Sequence, residues 1–296
     1  MYFINFFLIF IILIFLIKYF IKKIKKYISI LLINGLDGVY YYFINKNISN
    51  KGIWNFIEMK KYKIGKKISE ISNEKIIFGP YSGTKFLHSF GWSNVDFGSK
   101  YLGIYERQIQ EKIISLQKKY KLKYFIDCGA AEGYHIVSLL KKKIFQSAIA
   151  FEIDKRSRNI LAKNAIANKV KQKITIYSDA NFESLKQFLD KNYLKKTLFL
   201  LDIEGSEFDL FDRKFSEYFS QCYFIIEKHD FLIVDKKKLR NFYKNIKQFF
   251  KVSIINDIRK SPLDYDVLNE FSEDEKYLVM SEGRPKTMQW LLLVPK

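Results

Sequence analysis

Beyond residue 100 the apolar positions follow two alternating patterns. Short runs rich in β-branched and aromatic residues stand at 124–128, 147–153, 173–177, 197–203 and 222–227. Between them, hydrophobic residues recur at helical spacing over 134–143, 155–168, 181–192, 205–219 and 235–250. A run that is apolar at nearly every position suits a strand covered on both faces, and strands separated by helices predict a parallel sheet with helices on either side. Runs at 252–256 and 289–294 complete the set. The pattern predicts a doubly wound α/β domain over residues 101–296, built on a mostly parallel sheet of seven strands.

The first residues follow a different rule. Residues 2–17 carry no charge, and Asn5 is their one strongly polar side chain. Continued through Lys18 to Ile21, the run reaches about 20 residues, or roughly 30 Å of helix, which matches the hydrocarbon thickness of a bilayer. No basic stretch precedes it, and Lys22, Lys23, Lys25 and Lys26 follow it. This is the pattern of an uncleaved transmembrane anchor over residues 1–21, not of a cleaved leader. The basic cluster places the remainder on the cytoplasmic side, so the chain reads as a single-pass membrane protein. Residues 22–100 form a juxtamembrane and cap region. Its second apolar stretch, 27–44, is broken by Gly35, Asp37 and Gly38, and Gly79-Pro80 and Ser82-Gly83 mark turns.

Charge refines this picture. The 51 Lys and Arg outnumber the 31 Asp and Glu, for a net charge of +20. Arg supplies only seven of the 51, at 107, 156, 158, 213, 240, 259 and 284, whereas readers of nucleic acid favour Arg for bidentate contacts. Residues 1–100 hold 15 basic and 5 acidic side chains, so a third of the chain carries half the excess, and an anionic membrane surface is the partner this suggests. Two cysteines, Cys128 and Cys222, exclude a disulfide framework and a Cys-rich zinc site.

In an open α/β sheet ligands bind beyond the carboxyl ends of the strands. There the sequence reads Asp127-Cys128-Gly129-Ala130-Ala131-Glu132-Gly133 after the first strand and Glu152 at the end of the second. Gly129 permits a tight turn, the small residues let a ligand approach the backbone, and Glu152 stands where an acidic side chain bonds ribose hydroxyls. The turn lacks the paired glycines of a dinucleotide site. Asp127 would repel a pyrophosphate and suits a ligand carrying positive charge.

These residues resemble the class I S-adenosylmethionine-dependent methyltransferases, and most closely the FkbM-like family. The resemblance is carried by Gly103-Ile104-Tyr105-Glu106, by residues 125–134, by Leu201-Asp202-Ile203-Glu204-Gly205-Ser206-Glu207, and more weakly by Ile226-Glu227-Lys228-His229. It covers residues 100–296 and implies a Rossmann-like methyltransferase fold with S-adenosyl-L-methionine as cofactor. It further implies that Asp127, Gly129, Ala131 and Gly133 line the methionine and ribose end, that Glu152 bonds the ribose, and that Asp179 sits near the adenine. Glu106 would close over the cofactor, and Asp202 would lie where the methyl acceptor meets the sulfonium.

Transfer to a hydroxyl needs a base within hydrogen-bond reach; Asp202 qualifies by location and His229 by its ordinary pKa. The spacing of Asp202, Glu204, Glu227 and His229 specifies no known metal site, and no metal is assigned. The Asp202-Ile203-Glu204-Gly205 run differs from the Pro-Pro-aromatic motif of base methyltransferases and argues against a nucleic-acid substrate. Together with the anchor, the resemblance implies O-methylation of a small-molecule, saccharide or lipid-linked glycan acceptor at the cytosolic membrane face. The alternative is a non-catalytic, membrane-anchored binding or scaffold protein that keeps the fold, and turnover to S-adenosylhomocysteine separates the two.

Overall fold

The computed structural model describes residues 17–22, 24–25, 28, 52–87, 95–189, 191–258, 260–282, 284 and 287–296. Most of the expected anchor lies outside them. Residues 17–22 are helical, with Ile17, Tyr19, Phe20 and Ile21 exposed. Among the described residues no helix is long and apolar enough to cross a membrane.

Residues 61–296 form one compact unit. Its centre is a seven-stranded sheet of β1 (Tyr124–Cys128), β2 (Ser147–Phe151), β3 (Ile174–Tyr177), β4 (Thr197–Leu201), β5 (Tyr223–Glu227), β6 (Phe250–Asn256) and β7 (Gln289–Pro295). The strand order is β3-β2-β1-β4-β5-β7-β6. Strands β1 to β5 are parallel, whereas β7 runs antiparallel to both β5 and β6. All five residues of β4 are buried, as its unbroken apolar run predicts.

Alternate residues of each strand feed two cores, one on each face. Phe125, Ala150, Leu198, Leu200 and Ile225 pack against the helices α3 (Arg107–Tyr120), α4 (Tyr134–Lys141) and α5 (Lys155–Ala167). Ile126, Phe151, Phe199, Leu201 and Phe224 pack against α6 (Phe182–Phe188), α7 (Glu207–Leu210), α8 (Arg213–Tyr218) and α9 (Lys236–Phe249). Phenylalanine dominates the second core: Phe199 stacks on Phe224 at 4.6 Å, and Phe211 meets Phe224 edge-on at 5.2 Å. Truncating such a ring costs about 3–5 kcal/mol.

Side-chain caps set the helix starts. Asp154 accepts from Ser157 N–H ahead of α5, and Asn181 does the same from Ser184 ahead of α6. The helix expected over 205–219 is two helices, because Asp212 accepts from Phe215 N–H and starts α8 afresh. The helix expected over 181–192 ends at Phe188.

The boundary expected after residue 100 falls inside the helix α2 (Phe97–Leu102). The cap region holds α1 (Gly52–Ile71), whose residues from Lys61 onward belong to the sheet unit. Gly65 of α1 abuts Gly98 of α2 so closely that a Cβ on Gly65 would lie 2.8 Å from Gly98 N. A Cβ on Gly98 would lie 2.0 Å from the side chain of Val279 in α10 (Glu273–Met280). Lys61, buried, donates to Ser281 O and Oγ at 2.5 and 3.0 Å.

Candidate functional site

Sheet register assembles the site. Cys128 pairs with Phe151 and Leu201, and Leu201 pairs with Ile226. The next residue on each strand therefore emerges at one level: Gly129, Glu152, Asp202 and Glu227. They border a cavity of about 660 Å³, covered in part by Val95, Asp96, Lys100, Tyr105 and Glu106.

The turn after β1 is held tightly. Gly129 has φ +86°, and a Cβ there would lie 1.8 Å from the carbonyl oxygen of Asp202. Only glycine lets the tips of β1 and β4 approach this closely. Glu152 fixes the turn from the other side: Oε2 accepts from Ala131 N–H and Oε1 from Asp154 N–H, both at 2.8 Å. A carboxylate has about four acceptor positions, so Glu152 keeps capacity for ligand hydroxyls. Asp127, 3 % exposed, is raised to about 7 by burial, with Asp202, Glu106 and Glu152 nearby adding to the rise and His135 opposing it.

A polar chain crosses the cavity wall. His135 Nδ1 pairs with Tyr81 Oη at 2.9 Å and Nε2 with Glu106 Oε2 at 2.8 Å. Arg284 donates to Glu106, to Glu227 and, at 3.0 Å, to Glu282. Burial would raise the Glu106 carboxyl, but Arg284 and His135 outweigh it and hold it well below the usual range. Lys100, also buried, lies 3.1 Å from Asp96 and 3.5 Å from Glu132.

The tips of β4 and β5 carry a second cluster. Glu207, fully buried, accepts from Ile203 and Gly205 N–H at 2.8 Å each and so ties down the turn after β4. It also holds His229 Nδ1 at 3.1 Å. Burial would lower the His229 pKa, but the hydrogen bond it donates to Glu207 and the charges of Glu207, Asp202 and Glu204 raise it. His229 Nε2 faces Glu227 Oε2 at 3.4 Å, Glu204 Oε2 at 3.6 Å and Asp202 Oδ1 at 3.7 Å. Among the described residues the buried Asp202 Oδ1 has no hydrogen-bond partner, and burial together with Glu106 raises its carboxyl.

Of the residues expected in the site, Glu106, Asp127, Gly129, Ala131, Glu152, Asp179, Asp202 and His229 line the cavity. Asp179 is exposed at the rim and pairs with Asn181 at 2.7 Å. Gly133 does not line it: with φ +85° it caps α4, and a Cβ would lie 2.8 Å from Leu161. Its contribution is to bring α4 against α5. Sequence reasoning assigned no role to His135, Arg284, Tyr81 or Glu282. Arg284 stands alone in a polar loop, and its link to Glu106 spans 178 positions, so no local pattern marks it.

The strand order and the reversed β7 make this the doubly wound, mostly parallel seven-stranded sheet expected from the sequence. No family model matches the sequence, and no curated protein does. Among solved structures, the chain is similar to an O-methyltransferase from Bacillus cereus in complex with SAH, at 10% identity and TM-score 0.45 over 87% of this chain and 97% of that one. It is also similar to cofactor-bound Rv0187 from MTB, at 8% identity and TM-score 0.42 over 86% and 96%. A third is the precorrin-6y C5,15-methyltransferase from Geobacter metallireducens, at 10% identity and TM-score 0.39 over 64% and 88%. Likenesses this distant leave ligand and reaction to the residues of the site itself.

Proposed function

We propose that the chain is an S-adenosylmethionine-dependent methyltransferase whose donor occupies the cavity between Asp127, Glu152 and Asp202. The observation that carries this reading is the buried carboxyl of Asp127, two residues before Gly129, where the glycine turn stands level with Glu152. A cavity lined by Glu106, Asp127, Glu152, Asp202 and Glu227 repels phosphate and attracts a sulfonium and an ammonium group. Within this class the Asp202-Ile203-Glu204-Gly205-Ser206-Glu207 run favours an FkbM-like enzyme.

The acceptor in this reading is a hydroxyl. Its oxygen attacks the methyl carbon, the carbon–sulfur bond breaks with its electron pair going to sulfur, and S-adenosylhomocysteine leaves. The hydroxyl proton passes to Asp202, whose raised carboxyl makes it the better base; His229 sits behind it. Positioning supplies much of the remaining rate. A saccharide or lipid-linked glycan precursor at the cytosolic membrane face is the acceptor class we favour. The apolar residues 2–17, the lysines after them and the exposed helical Ile17, Tyr19, Phe20 and Ile21 support it.

Calorimetry with the purified full chain tests the donor. S-adenosylmethionine and S-adenosylhomocysteine should bind at micromolar concentration, and Asp127→Asn should weaken the first at least tenfold. A folded chain that binds neither refutes the proposal. Methyl-labelled donor offered with a total lipid extract and with a soluble metabolite extract then tests the acceptor, and label confined to soluble products would remove the lipid-linked class.

A further inference from the structure

We propose that the loop after β5 and the outer stripe of α9 form a lipid-docking surface. The apolar tip of the loop enters an anionic bilayer, the stripe lies on the headgroups, and the mouth of the cavity is set against the membrane.

The sequence places the two parts side by side. Phe231-Leu232-Ile233-Val234 is the tip, Asp235 caps the helix, and Lys236, Lys237 and Lys238 open it. The tip is not folded inward. Val234 is 95 % exposed, and Phe231 and Leu232 are exposed although both line the cavity. Ile153, just past the end of β2, is exposed and lines the same cavity from another side. Exposed apolar side chains are ordinary when scattered; gathered at the rim of a cavity they mark a contact surface. The tip is also supported, since a Cβ on Gly205 would lie 3.7 Å from Ile233 and 3.8 Å from Leu232. The turn after β4 therefore holds the loop from below and leaves Val234 pointing outward.

Helix α9 supplies the charge. At 100° per residue, Lys236, Lys237, Arg240, Lys244 and Lys247 fall within a sector of about 100°. All five are exposed, whereas Phe242 and Ile246 lie on the far side and pack into the second core. The helix contains no Asp or Glu. Nearby acidic groups are engaged elsewhere: Asp230 holds Lys228 at 3.0 Å, Asp209 holds Lys238 at 2.6 Å, and Asp235 accepts from Lys237 N–H. Glu204, at the mouth, faces His229. Among the described residues none of the five forms an ion pair, so their charge is free to meet an anionic surface.

Magnitudes decide how the surface lies. From Lys236 to Lys247 the stripe is about 16 Å long. Stood on end, the helix would lift Lys247 beyond the Debye length of ~8 Å and waste its charge; laid along the headgroups, it keeps all five within reach. A nucleic acid or another anionic polymer would use the lysines and leave Val234 in water. A bilayer interface takes both, the apolar side chains at the acyl boundary and the ammonium groups among the phosphates. Docked in this way, the β4–β5 side of the cavity opens at the membrane, which suits an acceptor carried on a lipid. That consequence rests on the methyltransferase reading; the docking does not.

The test reads the loop itself in the full chain, reconstituted into vesicles of phosphatidylcholine alone or with about a third phosphatidylglycerol. Val234→Cys carries a fluorescent label, because Cys128 and Cys222 are buried and leave the new thiol as the reactive one. Lys142→Cys, exposed after α4 at the opposite edge of the sheet, is the control. Residues 2–17 act alike in every arm. Spin-labelled acyl chains should quench the label at 234 in the anionic vesicles, less in phosphatidylcholine alone, and not the label at 142. Lys236→Gln, Lys237→Gln and Arg240→Gln together should lower the docking equilibrium about a hundredfold, at about fivefold for each charge. Circular dichroism checks that this variant folds, and raised salt should release the unsubstituted stripe in the same way. A label at 234 that stays unquenched in anionic vesicles, or quenching that neither the charge variant nor salt reduces, overturns the proposal. Energy transfer between 234 labels on two copies, in place of quenching by lipid, would assign the patch to self-association and overturn it as well. Calorimetry with S-adenosylhomocysteine separates the two readings. Docking by a chain that does not bind it upholds the surface and removes the methyltransferase, and the reverse result removes the surface alone.

Discussion

Asp127→Asn should stabilise the ligand-free protein by an amount that grows with pH. The carboxyl titrates at 3.8 when exposed and at about 7 in the fold, so the folded state favours its protonated form. Stability from such a group is fully present below pH 3.8 and is lost as pH rises through 7. With a pKa difference of one corresponding to ~1.36 kcal/mol, the cost of the ionised side chain is ~1.7 kcal/mol at pH 5 and ~4 kcal/mol at pH 8.5. Asparagine has nearly the same shape and no charge. Its stability relative to the wild type should therefore rise by roughly 2.5 kcal/mol over that range, or about 5–10 °C in Tm for a unit of this size. The groups that face Asp127 are Asp202, Glu106, Glu152 and His135, and they remain in both proteins. Thermal unfolding of both proteins at several pH values, without ligand, measures the difference. A difference that stays flat from pH 5 to 8.5 would show that the cavity does not hold a disfavoured charge, and the electrostatic basis for a cationic ligand would fall with it.

Two further outcomes follow from the same turn and its surroundings. Gly129→Ala should cost at least about 3 kcal/mol and abolish S-adenosylmethionine binding, because its Cβ meets the Asp202 carbonyl in a left-handed conformation; unchanged thermal stability would contradict the close approach of β1 and β4. Cys128 and Cys222 are buried, and burial pushes both thiols well above their ordinary range. A thiol reagent at pH 8 should therefore label them only as fast as the chain unfolds, and rapid labelling of the folded protein would refute that.

The sheet was legible because its strands are buried on both faces, so their apolar runs stand out without knowledge of their partners. Gly129 and Glu152 were legible because a strand end followed by a glycine turn is a local pattern. Asp202 and His229 follow strand ends too. The cap region was not legible. Helix α1 meets α2 through Gly65 and Gly98, two isolated glycines 33 positions apart that no local pattern connects. Nor does any local signal connect Tyr81, His135, Glu106 and Arg284, whose contacts span between 29 and 178 positions. The break between α7 and α8 turns on the single cap at Asp212, which the apolar periodicity of 205–219 passes over.

The reversed β7 bears on the order in which the molecule can assemble. Strands β1 to β5 can pair among themselves, but β6 pairs only with β7, and β7 inserts between β5 and β6. Until that insertion, Arg284 has no reason to lie between Glu106 and Glu227. During synthesis the acidic cavity would thus stand without its bridging guanidinium until residues 289–295 have emerged. Insertion of β7 closes the sheet, and Arg284 joins Glu106 to Glu227, so a chain stopped short of it would carry a recognisable sheet and a site without its guanidinium.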